Sequence, residues 1–490
     1  MPIRSFVLDP ATIADVAPAL DALRAELEVP GDFTPEALAE AEQAAANAAV
    51  HPHDATDIEL VTVDPPGAKD LDQALHLSRD GDGFLVQYAI ADPASFITPG
   101  GALDTEVHGR GMTFYGPDGR IGLHPDVLAE GAASLLPDRD RPACLWRIRL
   151  DAGGEIIEAS VVRAQVRSRA QLSYEQVQQA LDAGSFGEVP EMLGLLRHIG
   201  RLRQQRELER GGASLRIPEQ EIVSVDGHYE LRYRATLDVE EWNAQISLLT
   251  GIAAAGLMRR KRVGVFRTLP EADPRDVKRL RRAARGLGIE WAGEEPYGAM
   301  LRRLDASIPA HAAFLDEATT LFRGAGYLTF DGDLPPSLPH GAIAAEYAHV
   351  TAPLRRLVDR YGLEICLAAT AEGQIPAWVH GGLEALPKLM ASTGQRASGY
   401  ERECVNLLEA VVLEPRVGES FEGVIVEVRE REKDAPSRGT VVVAEPAVEA
   451  AVVGRDLPLG ESTTVTLTEA DPTTRTVTFE HTSEPQTPRS

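Results

Sequence analysis

Hydrophobic and polar positions along this chain follow two different periods. From Pro10 to Val29 ("PATIADVAPALDALRAELEV") apolar residues recur every three or four positions, the pattern of a helix with one buried face. A second helix is predicted from Thr34, a capping residue with Pro35 at the first helical position and Glu36 close behind. Residues 1–50 therefore read as a small helical region, either a helix-turn-helix or a cap on the next domain. From Ile58 the period falls to two. Ile58–Val63, Phe84–Asp92 and Cys144–Leu150 are predicted strands, separated by the turn sequences "PPG", "RDGDG" and "DAGGE". Helical patterns resume at Ser173–Gly184, Pro190–Gly212 and Asp238–Arg262, and around Arg275–Arg285, His311–Phe322 and Pro353–Ala369. Residues 51–412 thus form one mixed α+β block with no internal boundary. After Pro415 five short alternating segments span 415–482, the strand count of a small OB-type barrel, a common single-strand binder. Residues 483–490 read as a disordered tail.

Composition narrows the class. At 490 residues the chain is too long for one core, and its 43% hydrophobic and 25% charged content is that of a globular protein. The three cysteines are far apart in sequence, which argues against a disulfide framework or a zinc knuckle and fits a reducing cytoplasm. The start of the chain has neither the basic residues nor the apolar run of a signal peptide. Ile246–Met258 is apolar but has only 13 residues before "RRKR", short of the ~20 that cross a bilayer, so it is expected to be a buried helix. No membrane association is expected. The net charge of −26 sets a repulsive long-range field for nucleic acid without excluding a local cationic groove. Most arginine runs read as solvated helix faces, but Arg355 and Arg356 follow Pro353 at a predicted helix start.

The stretch "VTVDPPGAKDLDQAL" (Val61–Leu75) carries the candidate chemistry. If Ile58–Asp64 and Lys69–Leu77 are strands joined by a turn, Asp64 ends the first, and Asp70 and Asp72 share a face of the second. Three converging carboxylates repel one another unless a cation sits among them, and such hard oxygen ligands suit Mg²⁺ or Mn²⁺. A divalent ion with open positions is the usual equipment of phosphoryl transfer. On spacing alone, an exposed acidic turn that is merely solvated accounts for the pattern equally well.

Longer segments resemble the RNB family, the catalytic domain of ribonuclease II and ribonuclease R. "TVDPPGAKDLDQAL" resembles its acidic signature, and "YAIADPASFITPGGALDTEVHGRGMTFYGPDG" its "hIAD" strand and the segment behind it. "RGGASLRIPEQE" resembles its Gly-Ala-Leu helix end, "EYAHVTAPLRRLVDRY" its TSPIRR motif and "GYERECVNLLEA" its late helix, all in the family's order. The resemblance implies an α+β catalytic domain with a mixed sheet surrounded by helices, followed by a C-terminal RNA-binding OB barrel. It implies a monomeric, cytoplasmic, Mg²⁺-dependent (or Mn²⁺-dependent), processive 3′-to-5′ exoribonuclease acting on the 3′ end of single-stranded RNA and releasing nucleoside 5′-monophosphates.

By position, Asp64, Asp70 and Asp72 match the first three acidic metal-site residues, and Asp72 is the one tied to chemistry. Gln73 stands where the fourth acid is expected and is a doubtful ligand, so the resemblance implies a greater need for Mg²⁺ or a preference for Mn²⁺. Arg355 matches the arginine on the scissile phosphate, and Arg356 beside it is expected to contact RNA. Tyr115 matches the aromatic that stacks on the terminal bases, and Glu401 the carboxylate on the terminal sugar. Family members usually carry two cold-shock domains where residues 1–50 stand here, which implies a more open RNA entrance. Two other classes stay open: a weakened RNA-binding protein that protects or delivers 3′ ends, and a phosphodiesterase acting on DNA or small nucleotides.

Overall fold

The computed structural model describes residues 4–7, 14–187, 190–213, 219–225, 228–234, 236–305, 308–429 and 436–482. The tail predicted to be disordered and part of the Gly-Ala-Leu segment lie outside these residues. The first element is a strand, β1 (Arg4–Val7), where the sequence predicts helix; its partner is remote in sequence, running parallel to Gln220–Val223. Helices span Ala17–Glu26 and Pro35–Ala46, and the second is capped as expected by the Thr34 hydroxyl, which accepts from the Ala37 N–H.

The mixed sheet is closed. β2 (Asp54–Asp64), β3 (Gln73–Asp80) and β4 (Gly83–Ala91) precede a short hairpin of β5 (Phe114–Gly116) and β6 (Gly119–Ile121). β7 (Asp140–Leu150) and β8 (Ile156–Ser173) then complete a barrel in the order β2-β3-β4-β7-β8. All its pairings are antiparallel except β2 with β8, the parallel pair that closes it. Leu60, Val61, Leu77, Val86, Ala89 and Ile148 are fully buried, and the barrel shares one core with the long Asp238–Lys261 helix. That helix is the buried one expected from Ile246–Met258, and no helix among the described residues is long and apolar enough to cross a membrane. β9 (Glu219–Val225) and β10 (His228–Arg234) join β1 in a small sheet, and β11 (Val263–Thr268) pairs with β12 (Gly326–Asp331).

One close approach decides where the arginine motif lies. A Cβ at Gly251, mid-helix, would sit 2.0 Å from the Tyr347 ring, so only glycine lets residues 347–348 cross the helix surface. The Ala348 N–H donates to the Gly251 carbonyl at that crossing. The chain then turns into the Leu357–Thr370 helix, which starts four residues later than the predicted Pro353. Arg355 therefore lies in the turn, and Arg356 is the extended residue that caps the helix and bridges to Met112.

The C-terminal segment is the expected five-stranded barrel. β13 (Ser420–Arg429), β14 (Ser437–Val443), β15 (Val448–Gly454), β16 (Ser462–Asp471) and β17 (Thr476–His481) close in the order β13-β14-β15-β17-β16. Its interior, with Ile425, Val441, Val465 and Phe479, is continuous with the Leu386–Leu413 helix, with Phe114 of β5, and with Leu20 and Leu23 of the first helix. The first helix and the terminal barrel thus share one apolar cluster with the β5–β6 hairpin.

Candidate functional site

Asp64 ends β2, as expected, but Asp70 and Asp72 are not on a strand. β3 begins at Gln73, and residues 65–72 form a loop. The reason is a competing partner. Leu71 is fully buried, its N–H donates to the Ser134 hydroxyl (3.0 Å), and its carbonyl accepts from Leu135 (3.0 Å). These bonds take the backbone groups that would have extended the β2–β3 ladder. Asp70 and Asp72 flank Leu71.

Asp72 is 7% exposed. Its Oδ1 accepts from the Leu354 N–H (2.8 Å) and its Oδ2 lies 3.8 Å from Arg355 Nε. Burial pushes its carboxyl up to about 8; Asp359 and Asp70 add to this, while Arg355 and the Leu354 N–H oppose it. Burial likewise raises Asp64 to about 6, with Asp70 adding and Arg355 opposing. Asp64 Oδ2 is buried without a hydrogen-bond partner.

The arginine turn is built from behind. Asp359, wholly buried in the first turn of the Leu357–Thr370 helix, accepts from the Ala352 N–H (2.7 Å) and takes both arms of the Arg356 guanidinium (2.8 Å each). Arg356, expected to touch RNA, is thus engaged inside the protein. Arg355 is exposed, its backbone fixed by the Thr113 N–H to its carbonyl (3.0 Å) and its side chain free to reach outward past Asp72. His124 supports the same turn, placing Nδ1 3.1 Å from the Leu354 carbonyl, and burial lowers its pKa to about 4.

Alternation along β5 buries Phe114 and leaves Tyr115 41% exposed. Arg355, Asp70, Asp72 and Arg120 all act electrostatically on the Tyr115 hydroxyl, so β5 brings Tyr115 to the same region. Arg120, on β6 of the hairpin, grips Asp70 (2.7 Å), Glu130 (2.8 Å) and Asp126 (3.2 Å). Glu401 lies on the Leu386–Leu413 helix next to Tyr400, whose ring fills the space behind Gly116 of the hairpin. Gln73 is held away from a ligand role. Its amide donates to the Thr351 carbonyl (2.6 Å), and its oxygen accepts from the Tyr88 hydroxyl and from Ser247 (3.3 Å).

The fit to a divalent ion divides. Hard oxygens, raised carboxyl pKa values and an orphaned buried Asp64 oxygen are features that suit a divalent cation. Yet among the described residues no three acidic, histidine or cysteine side chains stand together as a ready cradle, against the expected convergence of the trio. The physical reason is Arg120: its guanidinium holds Asp70 as a counter-ion. Asp64 keeps a buried oxygen without a hydrogen-bond partner, whereas Asp70 is taken by Arg120.

Sequence reasoning does not single out Arg120, Asp359, His124, Tyr88 or Ser247 as site residues. Asp359 has a usable signal, an acid three residues after Arg356 at a helix start. Arg120 and His124 come from segments 50 and 230 residues away in sequence from what they support.

Comparison with known proteins agrees with this layout. A model of the RNB domain matches residues 53–368, and one of the RNase II-type exonuclease C-terminal S1 domain matches 419–482. The chain is 28% identical to the human Exosome complex exonuclease RRP44 over 315 residues, 61% of this chain and 32% of that protein. It is 26% identical to Escherichia coli (strain K12) Ribonuclease R over 396 residues, 76% of this chain and 48% of that one. The chain therefore spans less than half the length of either relative. In fold it is similar to Mycoplasma genitalium RNase R, solved with ribose-methylated single-stranded RNA (TM-score 0.81, 18% identity, 94% of this chain and 77% of that one). It is also similar to yeast Ssd1, a pseudonuclease (TM-score 0.67, 16% identity, 87% of this chain and 52% of that one). From its acidic loop to its terminal barrel, this chain belongs to the RNB family, with an RNase II-type S1 domain at its C-terminal end.

Proposed function

We propose that the protein is a Mg²⁺-dependent, processive 3′-to-5′ exoribonuclease that hydrolyses single-stranded RNA to nucleoside 5′-monophosphates. One observation carries the reading: buried Asp72 stands 3.8 Å from the exposed Arg355 guanidinium, and both act electrostatically on Tyr115 while Arg355 also acts on Asp64, whose Oδ2 is orphaned. Asp64 and Asp72, joined by Asp70, would hold Mg²⁺ or Mn²⁺, which when bound supplies an activated water and charge for the leaving oxygen. Arg355 meets the scissile phosphate through charge-assisted bonds. Tyr115 stacks on the terminal bases, and Glu401 accepts from a ribose 2′-hydroxyl, a contact that DNA lacks. Arg356 acts indirectly, by fixing the turn that presents Arg355. The S1 barrel anchors the strand. The enzyme is proposed to work as a monomer in the cytoplasm, a setting that suits its three buried, unpaired cysteines.

The test is a 3′-end assay on 5′-labelled single-stranded RNA and DNA with Mg²⁺. Stepwise shortening of RNA alone, with nucleoside monophosphates as product, is expected. Equal cutting of DNA, or no shortening of RNA, would overturn the reading.

A second reading, an RNA 3′-end binder with weakened catalysis, is favoured by the neutral Gln73 network and by Arg120 on Asp70. Both features also bear on metal loading. Gln73→Asp is expected to lower the half-saturating Mn²⁺ concentration by about tenfold, because a carboxylate adds charge beside Asp64 and Asp72. It is also expected to lower the melting temperature of the metal-free protein, since the Thr351 carbonyl loses its donor. Titration calorimetry with Mn²⁺ reads the first effect and a thermal melt in EDTA the second; unchanged Mn²⁺ affinity would show that position 73 does not bear on metal.

A further inference from the structure

The hairpin that carries Tyr115 is small. Each strand has three residues, and a two-stranded ribbon of that size holds no fixed geometry alone. Its turn, Pro117–Asp118, is gripped from outside the catalytic block. Arg24, in the last turn of the Ala17–Glu26 helix, places Nη2 2.5 Å from both Asp118 carboxylate oxygens. Its Nε donates to the Tyr400 hydroxyl (3.1 Å), and its Nη1 to Asp21 (2.9 Å) on its own helix. Tyr400 is the side chain packed behind Gly116, where an added Cβ would lie 2.7 Å from its hydroxyl. One guanidinium therefore ties the turn of the hairpin to the side chain that backs it.

The helix carrying Arg24 is itself anchored. Leu20 and Leu23 are fully buried in the cluster that contains Phe114 and Tyr400. Arg475, between β16 and β17 of the S1 barrel, takes both oxygens of Glu26 (3.0 Å each) and also Glu403 (2.9 Å). Arg396 donates to the Glu28 carbonyl (3.2 Å). The hairpin's far side is fixed by Arg120 on Asp70. Arg24 is thus the outer of two guanidinium clamps, at the turn, and Tyr115 pairs across the hairpin with the inner one, Arg120.

From this geometry we infer that Arg24 is a positioning residue for the 3′-terminal nucleotides, and that the N-terminal helix is the strut holding the Tyr115 ring over the carboxylates. The inference rests on the exoribonuclease reading. Base stacking contributes alike to bound substrate and transition state, so loss of the strut raises KM and leaves kcat nearly unchanged.

The experiment uses the full chain and a short RNA with 2-aminopurine at the penultimate 3′ position, bound without divalent ion, alongside steady-state kinetics with Mg²⁺. Wild type quenches the probe and Tyr115→Ala does not. Arg24→Ala is expected to lose most of the quenching and to raise KM about tenfold, with kcat within about twofold. The exchanged pair Arg24→Asp with Asp118→Arg is expected to restore both, because the ion pair between the helix and the hairpin turn is rebuilt. Full quenching in Arg24→Ala, with quenching lost in Tyr115→Ala, overturns the inference. Loss in Arg24→Ala that the exchanged pair fails to restore overturns it too, since the effect is then only on folding. If wild type neither quenches the probe nor shortens the RNA, the exoribonuclease reading itself fails and the inference falls with it.

Discussion

Asp72→Asn is expected to lower RNA degradation by at least about 10³-fold while leaving RNA binding intact. Asparagine has the size of aspartate, and its Oδ1 still accepts from the Leu354 N–H, so the 354–355 turn keeps its anchor. What it loses is charge. A neutral amide no longer pairs with Arg355, and under the proposed function it no longer adds charge to the metal-holding set. Stability is not expected to suffer, because Asp72 is a buried carboxyl whose ionised form carries a desolvation cost. A melting temperature equal to or above wild type, together with an unchanged Kd for a 3′ single strand, separates a chemical defect from unfolding. Degradation within tenfold of wild type would remove Asp72 from the mechanism.

Asp359→Ala carries the largest stability effect. Asp359 has no exposed surface and satisfies the Ala352 N–H and both arms of Arg356. Burial works against the Arg356 charge, and the neighbouring carboxylate outweighs it, holding the guanidinium protonated. Removing that carboxylate strands a buried cation and an unpaired amide, a loss of about 3–5 kcal/mol, read as a fall of several degrees in melting temperature. The double variant Asp359→Ala with Arg356→Met is expected to recover most of this, since the stranded charge is gone, yet to stay slow on RNA because the Ala352 N–H remains unheld. A melting temperature within about 1 °C of wild type for the single variant would mean that the pair contributes nothing.

Asp64, Asp72, Arg355 and Tyr115 are legible in the sequence as candidates because each sits in a short motif with a recognisable pattern; in the structure Asp72 lies 3.8 Å from Arg355, which acts electrostatically on Asp64 and Tyr115. Where sequence and structure part, one cause is shared. Lys69–Asp72 alternates like a strand, but Ser134 and Leu135 compete for its backbone groups. Arg4–Val7 lies in a region that reads as helical, but it pairs with residues more than 200 positions away. Arg356 looks equivalent to Arg355 in sequence, yet Asp359 claims one and leaves the other exposed.

By itself, the sequence determined the succession of a mixed α+β block and a five-strand terminal barrel, and the buried Ile246–Met258 helix. Local period and turn chemistry are properties of neighbours along the chain, and these were enough. Only the tertiary structure decided that the mixed sheet closes, that Arg120 occupies Asp70, that Gln73 is locked among Tyr88, Ser247 and Thr351, and that the first helix reaches the Tyr115 hairpin. Each of those facts is a contact between segments far apart in sequence. Which partner a buried polar group takes depends on what the fold brings within hydrogen-bond reach, and no local pattern encodes that.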